Sequence, residues 1–145
     1  CLVVGTWSKR RQEIVEKLRA SGLTVLVAGT CWPDEVGSIG GVGGDVEAMF
    51  RSASVVVSDS EPIVTGYWSD RGWLALAAGT PYCVEYVPGI EFPNGCVCWT
   101  DMSAVVPSVR SILEDWQMHH EGAKMAASAN RYRHRCGELM KVVFG

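Results

Sequence analysis

No apolar run in the chain approaches the ~20 consecutive residues that a membrane-spanning helix requires, so the sequence holds no candidate span. No basic-then-apolar leader opens it, and a cytoplasmic protein is expected. Positive charge is not in excess. The formal charge of −3 argues against a surface built to coat nucleic acid, although local basic patches are compatible with it. Histidine is scarce, with three residues, and none completes a zinc-ligand spacing with the close pair Cys96 and Cys98, so no metal centre is expected. The six cysteines show no disulfide framework and read as reduced, mostly buried thiols. Cys96 and Cys98, two apart, share one face if their segment is a strand. No internal repeat or disordered tail is visible.

What is present is an alternation of short apolar runs with helical patterns. At 145 residues, 48% of them apolar, the chain fits a single domain, 1–145, with one real core. Leu2-Val3-Val4-Gly5 reads as a buried strand. Ser8 to Ala20 follows as a helix with Ile14, Val15 and Leu18 inward, and Ser21-Gly22 stops it. Leu23 to Ala28 is a second strand, of the kind buried on both faces. After a long loop, 29–44, come a short helix from Asp45 to Arg51 and a third strand over Ser54–Ser58. A loop, 59–68, leads to a small-residue helix capped by Ser69 and ended by Gly79 and Pro81. Strands over Tyr82–Tyr86 and Cys96–Trp99 follow. Two helices finish the chain, from about Met102 to Trp116 and from about Met118 to Val143. In the second, Met118, Gly122, Met125, Ala129, Tyr132, Cys136, Leu139 and Val143 form a narrow seam at four-and-three spacing that calls for a partner surface.

This pattern predicts an α/β fold. It is a single Rossmann-like domain with an open, mostly parallel five-stranded sheet, helices on both faces and a long C-terminal helix. Ligands of such sheets sit beyond the C-terminal strand ends, which directs attention to loops 5–9, 29–44, 59–70 and 87–94. Ser69-Asp70-Arg71 opens a helix there. Its unpaired N–H groups and partial positive charge, with Arg71 added, suit a phosphate, or else the segment is a packing helix with a surface arginine. Lys9, Arg10 and Arg11 crowd another helix N-terminus, where they oppose the helix dipole unless an anion binds; a solvated basic turn offset by Glu13 and Glu16 is the alternative. Trp32 either stacks on a base or plugs its loop against the core. The loop carboxylates Asp59, Glu61 and Asp70 read as solvated. His119, His120 and His134 read as surface or interdomain residues, with no nucleophile pairing. No catalytic residue is assigned.

The motifs Val3-Val4-Gly5-Thr6-Trp7-Ser8 with Arg11, Gly29 with Trp32, Phe50-Arg51-Ser52-Ala53, Ser69-Asp70-Arg71 leading into Ala75-Leu76-Ala77-Ala78-Gly79, Tyr86-Val87-Pro88-Gly89-Ile90-Glu91 and the closing Tyr132-Arg133-His134-Arg135 with Leu139 occur in one order along nearly the whole chain. In that order and spacing the sequence resembles the C-terminal, nucleotide-sugar-binding half of GT-B glycosyltransferases, specifically the CgeB-like group. The resemblance implies a nucleoside-diphosphate sugar as donor ligand and no further cofactor. It implies a binding set of Gly5, Arg10, Arg11, Gly29, Trp32, Ser69, Asp70, Arg71 and Glu91, with Trp32 near the nucleobase and Glu91 near a donor hydroxyl. Two departures stand out. Leu74 occupies the position of a glutamate expected to contact the donor, and an apolar side chain cannot hydrogen-bond a hydroxyl. The acceptor domain of a GT-B enzyme is not in this sequence, so the isolated chain is expected to transfer no sugar. A non-enzymatic nucleotide-binding or interaction module derived from the same fold, or an assembly subunit, is the alternative. The seam leads to an expected homodimer, or a complex with an acceptor-domain subunit, through Tyr132, Leu139 and Val143.

Overall fold

The computed structural model describes residues 1–40 and 46–129. Five strands, β1 (Leu2–Val4), β2 (Leu26–Ala28), β3 (Val56–Ser58), β4 (Tyr82–Glu85) and β5 (Cys96–Trp99), form one sheet in the order β2-β1-β3-β4-β5. Every neighbouring pair is parallel, with Val3 opposite both Val27 and Val57, and Cys83 opposite Val57 and Val97. The helices are α1 (Lys9–Ala20), α2 (Val46–Arg51), α3 (Asp70–Ala77), α4 (Val105–Glu114) and α5 (Trp116–Ala129). A short 3₁₀ turn covers Asp34–Val36.

Strand alternation sorts the core into two layers. Val3, Val27, Val57 and Cys83 face α1 and α4, packing on Ile14, Val15, Leu18, Val105, Val109 and Ile112. Leu2, Val4, Val56, Tyr82 and Val84 face the other way, onto Phe50, Ala75, Leu76, Ala123 and Ala126. Ile14 and Leu18 are fully buried, each worth about 1.5–3 kcal/mol of apolar transfer. Ser8 caps α1 by accepting from the Arg11 backbone N–H at 3.2 Å, as its position before the apolar period predicts.

Cys96 and Cys98 do share a face, the one opposite Val97. Burial pushes the Cys98 thiol up to about 11 and raises Cys83 and Cys96 further, so none is held as a thiolate. The second strand is shorter than its apolar run, and Leu26 is half exposed rather than buried on both faces. The reason is position: β2 is an edge strand, and only its inner side is covered.

The final helices also differ from expectation. The turn between them falls at Asp115, so α5 starts at Trp116. Its inward face is Ala123 and Ala126, whereas Met118 and Met125 of the expected seam are more than half exposed. Close approach selects that face. Methyl groups on Gly95 or Gly122 would stand 2.5 Å from the Ala123 nitrogen and 2.8 Å from the Gly95 nitrogen. Only small residues allow such contact, and methionines cannot enter it. Tyr132, Cys136, Leu139 and Val143 lie outside the described residues, so the proposed contact through them stands as an expectation. His120 is not a free surface residue. It stacks on Trp116 with ring centroids 4.5 Å apart, and its Nδ1 meets the Gly79 carbonyl.

Candidate anion site at the sheet switch point

From β1 the chain moves outward to β2, then returns past β1 to β3, so the strand order reverses between β1 and β3. At such a point the two loops leaving the C-terminal strand ends diverge and open a crevice. Here the loops are Gly5–Ser8, which leads into α1, and Asp59–Ser69, which leads into α3.

Two arginines converge on that crevice from opposite sides. A methyl group placed on Gly5 would lie 2.7 Å from Arg71 Nη1 and 3.4 Å from Arg11 Nη1. Gly5 and Gly29 both sit near φ +140°, and a Cβ on Gly29 would stand 2.0 Å from the Gly5 carbonyl oxygen, so neither tolerates a side chain. Arg71 is held by Ser69, whose Oγ accepts from its Nε at 3.0 Å, and its Nη1 donates to the Val4 carbonyl at 2.8 Å. Arg11 Nε donates to Asp59 Oδ1 at 2.8 Å while its Nη1 donates to the Thr6 carbonyl. Arg10 turns away to pair with Glu85 at the end of β4, and its guanidinium lies 5.7 Å from the centre of the Trp99 ring.

The charges are therefore unequal in standing. Of these three arginines, Arg10 and Arg11 each have a carboxylate; Arg71 has none among the described residues. Asp59 and Glu85 are buried at 1% and 3% exposure, which a carboxylate tolerates only when paired. Burial raises the Asp59 carboxyl above its ordinary value, against the pull of Arg11 and Arg71. Its Oδ2 is enclosed and has no hydrogen-bond partner among the described residues. Tyr82 lies beneath, its phenol pushed up to about 12 by burial. With both carboxylates ionised, the group of three arginines and two acids keeps one net positive charge.

The sequence candidates separate accordingly. Gly5, Arg11, Ser69 and Arg71 come together; Arg10 stands beside them but is committed to Glu85. Trp32 is buried in the core layer under α1, and its indole N–H donates to the Gly5 carbonyl at 2.8 Å, which braces the crevice floor. Asp70 and Glu91 are exposed on the first turn of α3 and in the turn after β4. Leu74 is also exposed, on the outer side of α3. Asp59 is not the solvated loop carboxylate that its neighbourhood suggests. It directly follows the apolar run Val55-Val56-Val57-Ser58, and that position at a central strand end is the signal that sets it apart from Glu61. Glu85 was not singled out, yet a charge inside Tyr82-Cys83-Val84-Glu85-Tyr86 demands a buried partner.

The fold is that of the Rossmann-like domains of GT-B glycosyltransferases. The chain superposes on sucrose-phosphate synthase from Thermosynechococcus elongatus with a TM-score of 0.68 at 18% identity, over 99% of this chain and 45% of that one. It matches the pneumococcal O-GlcNAc transferase GtfA, solved with UDP and GlcNAc, with a TM-score of 0.69 at 12% identity, over 98% of this chain and 35% of that one. It matches Anabaena Alr3699/HepE, solved with UDP-glucose, with a TM-score of 0.65 at 14% identity, over 88% and 43%. The chain thus spans less than half the length of each. No protein-family model and no curated protein matches it, so the likeness reaches the glycosyltransferase fold and not the CgeB-like group. No described helix is long and apolar enough to cross a membrane.

Proposed function

We propose that this chain is the donor-binding half of a CgeB-like, two-domain glycosyltransferase, and that it binds a nucleoside-diphosphate sugar with the diphosphate between Arg11 and Arg71. The observation that carries the reading is the convergence of both guanidiniums on Gly5 at the switch point. GtfA in complex with UDP and GlcNAc and HepE in complex with UDP-glucose, proteins of the same fold, agree with it. In this reading the arginines and the N-termini of α1 and α3 take up the charge of the leaving diphosphate, the role preorganised donors have in group transfer. An acceptor domain then supplies closure and the acceptor's position, and the chain alone turns over no substrate.

Leu74 favours a second reading, a nucleotide-binding or interaction module without transfer activity. Its exposed apolar side chain offers no group to a ribose hydroxyl.

Calorimetry with UDP and UDP-glucose tests the proposal. Arg71→Gln and Arg11→Gln should each weaken UDP on the order of 10- to 100-fold, the range of a lost charge-assisted hydrogen bond. Unchanged affinity in the double variant would move the site elsewhere. Binding without transfer after an acceptor domain is added would favour the second reading.

A further inference from the structure

We propose that Asp59 takes up a proton when an anion binds at the switch point, so that Arg11 is freed from its carboxylate and faces the anion together with Arg71. The inference rests on the anion site proposed above and adds a regulatory property to it: affinity that rises as pH falls.

The geometry supplies the argument. Asp59 directly follows the central strand β3 and is enclosed by protein. An ionised carboxylate offers about four acceptor positions, and here Oδ1 receives the Arg11 Nε while Oδ2 has no partner among the described residues. Its charge is therefore sustained by nearby cations, one of which also supplies its hydrogen bond. Those cations are Arg11 from α1 and Arg71 from α3, the same two groups that an incoming phosphate would claim. The other charged groups facing it do not compensate. Arg10 of α1 is bound to Glu85 of β4, Glu61 on its own loop is like-charged, and Tyr82 of β4 is a buried neutral phenol. Glu85 also accepts from the backbone N–H of Ser60, next to Asp59, which places a second negative group against the same segment.

An anion placed between the arginines therefore does two things to Asp59. It draws off the field that keeps the carboxylate ionised, and it adds negative charge close by. Both favour the protonated acid. The balance is simple: solvent supplies one proton to the carboxylate, no bond other than O–H forms, and the site's net charge rises by one. Burial already holds this carboxyl above its ordinary value in the free protein, and anion binding moves it further in the same direction. By linkage, affinity then gains up to about tenfold per pH unit across the interval between the free and bound values.

The test is calorimetry of inorganic pyrophosphate and of UDP on the whole chain, in buffers of different ionisation heat, for the wild type and Asp59→Asn. Subtracting the variant removes the ligand's own titration. On binding, the wild type should take up more protons than Asp59→Asn at pH values above the ordinary carboxylate range. The variant, its fold checked by circular dichroism, should bind at least as tightly at high pH and lose most of the pH dependence. A carboxyl-carbon resonance of Asp59, titrated with and without pyrophosphate, reads the same shift in the unaltered protein. Equal proton uptake by both proteins, with pyrophosphate still bound, overturns the coupling and leaves the donor-site reading standing. Affinity lowered tenfold or more in Asp59→Asn at every pH also overturns it, since Asp59 is then a fixed holder of Arg11. Absence of any pyrophosphate or UDP binding overturns both.

Discussion

Gly29→Ala is the sharpest single test of how the crevice floor is built. The residue ends β2 at φ +143°, and a Cβ there would stand 2.0 Å from the Gly5 carbonyl oxygen, well inside contact distance. Backbone strain alone at such a conformation costs about 1–3 kcal/mol. The overlap is with main chain, so no rotamer change relieves it. The ends of β1 and β2 have to part, which endangers the Gly5 N–H bond to the Ala28 carbonyl at 2.9 Å and the Trp32 indole bond to the Gly5 carbonyl at 2.8 Å. Each is worth roughly 1 kcal/mol net. The sum is about 3–5 kcal/mol, a large part of a typical domain's stability. At ~2–4 °C per kcal/mol for a chain of this size, the melting midpoint should fall by about 6–20 °C. Gly37→Ala is the control. Gly37 also has a positive φ, +71°, but nothing lies within 4 Å of its would-be Cβ, so only the left-handed backbone penalty of about 1–2 kcal/mol applies. Urea or thermal unfolding followed by circular dichroism reads both. If Gly29→Ala falls within about 1 kcal/mol of Gly37→Ala, the crevice floor yields far more easily than this packing argues.

Gly122→Ala should destabilise although alanine ordinarily gains ~1 kcal/mol over glycine inside a helix, because its methyl would stand 2.8 Å from the Gly95 nitrogen; denaturant midpoints give the sign. Trp32→Phe keeps an aromatic ring in the core and removes one hydrogen bond, so it should cost roughly 1–2 kcal/mol while UDP affinity stays within about twofold; a large affinity loss would mean that the indole serves the ligand directly. Asp59 has a folded-state carboxyl raised above its ordinary value, so the unfolded chain releases that proton first. The wild type should therefore lose stability relative to Asp59→Asn as pH rises from the ordinary carboxylate range through the raised value, and the difference should level off above it. A pH series of unfolding midpoints for the two proteins checks this, and a difference that grows on acidification instead reverses the sign assigned to burial.

Periodicity and turn chemistry made most of the architecture legible. The short apolar runs located all five strands, and Ser8, Ser69 and Gly79 marked helix ends because caps are local chemistry that a sequence displays openly. Strand position within the sheet was not legible. Leu23 to Ala28 reads as an interior strand, and only the topology reveals that Leu26 sits on an edge. The inward face of α5 was hidden for a related reason. A four-and-three pattern weighs Met118 and Met125 by their apolarity, whereas the contact with Gly95 selects residues by size, a property of the partner backbone. Arg11 and Arg71 stood out in the sequence because helix N-termini at strand ends are predictable places for anions, and the fold brings both guanidiniums to Gly5. Asp59 and Glu85 were passed over because their burial is created by the loops that fold over them. Trp32 was open between two roles in the sequence, and its burial and its bond to the Gly5 carbonyl became visible only in the fold.

The connection from β4 to β5 carries no helix, and that has a consequence for the order in which the molecule can be completed. Parallel neighbours are usually joined by a covering helix, and here the cover on that face is α5, which arrives only after α4 has been laid on the opposite face. A nascent chain that has emerged as far as Trp99 possesses every described strand yet leaves Tyr82, Val84 and Cys96 uncovered beside α3. Until Ala123 and Ala126 follow, that half of the sheet is an open apolar flank. Synthesis at ~5–20 residues per second leaves it so for seconds, which makes the interval between the fifth strand and the last described helix the moment when this protein is most exposed to chaperones, proteases and its own neighbours.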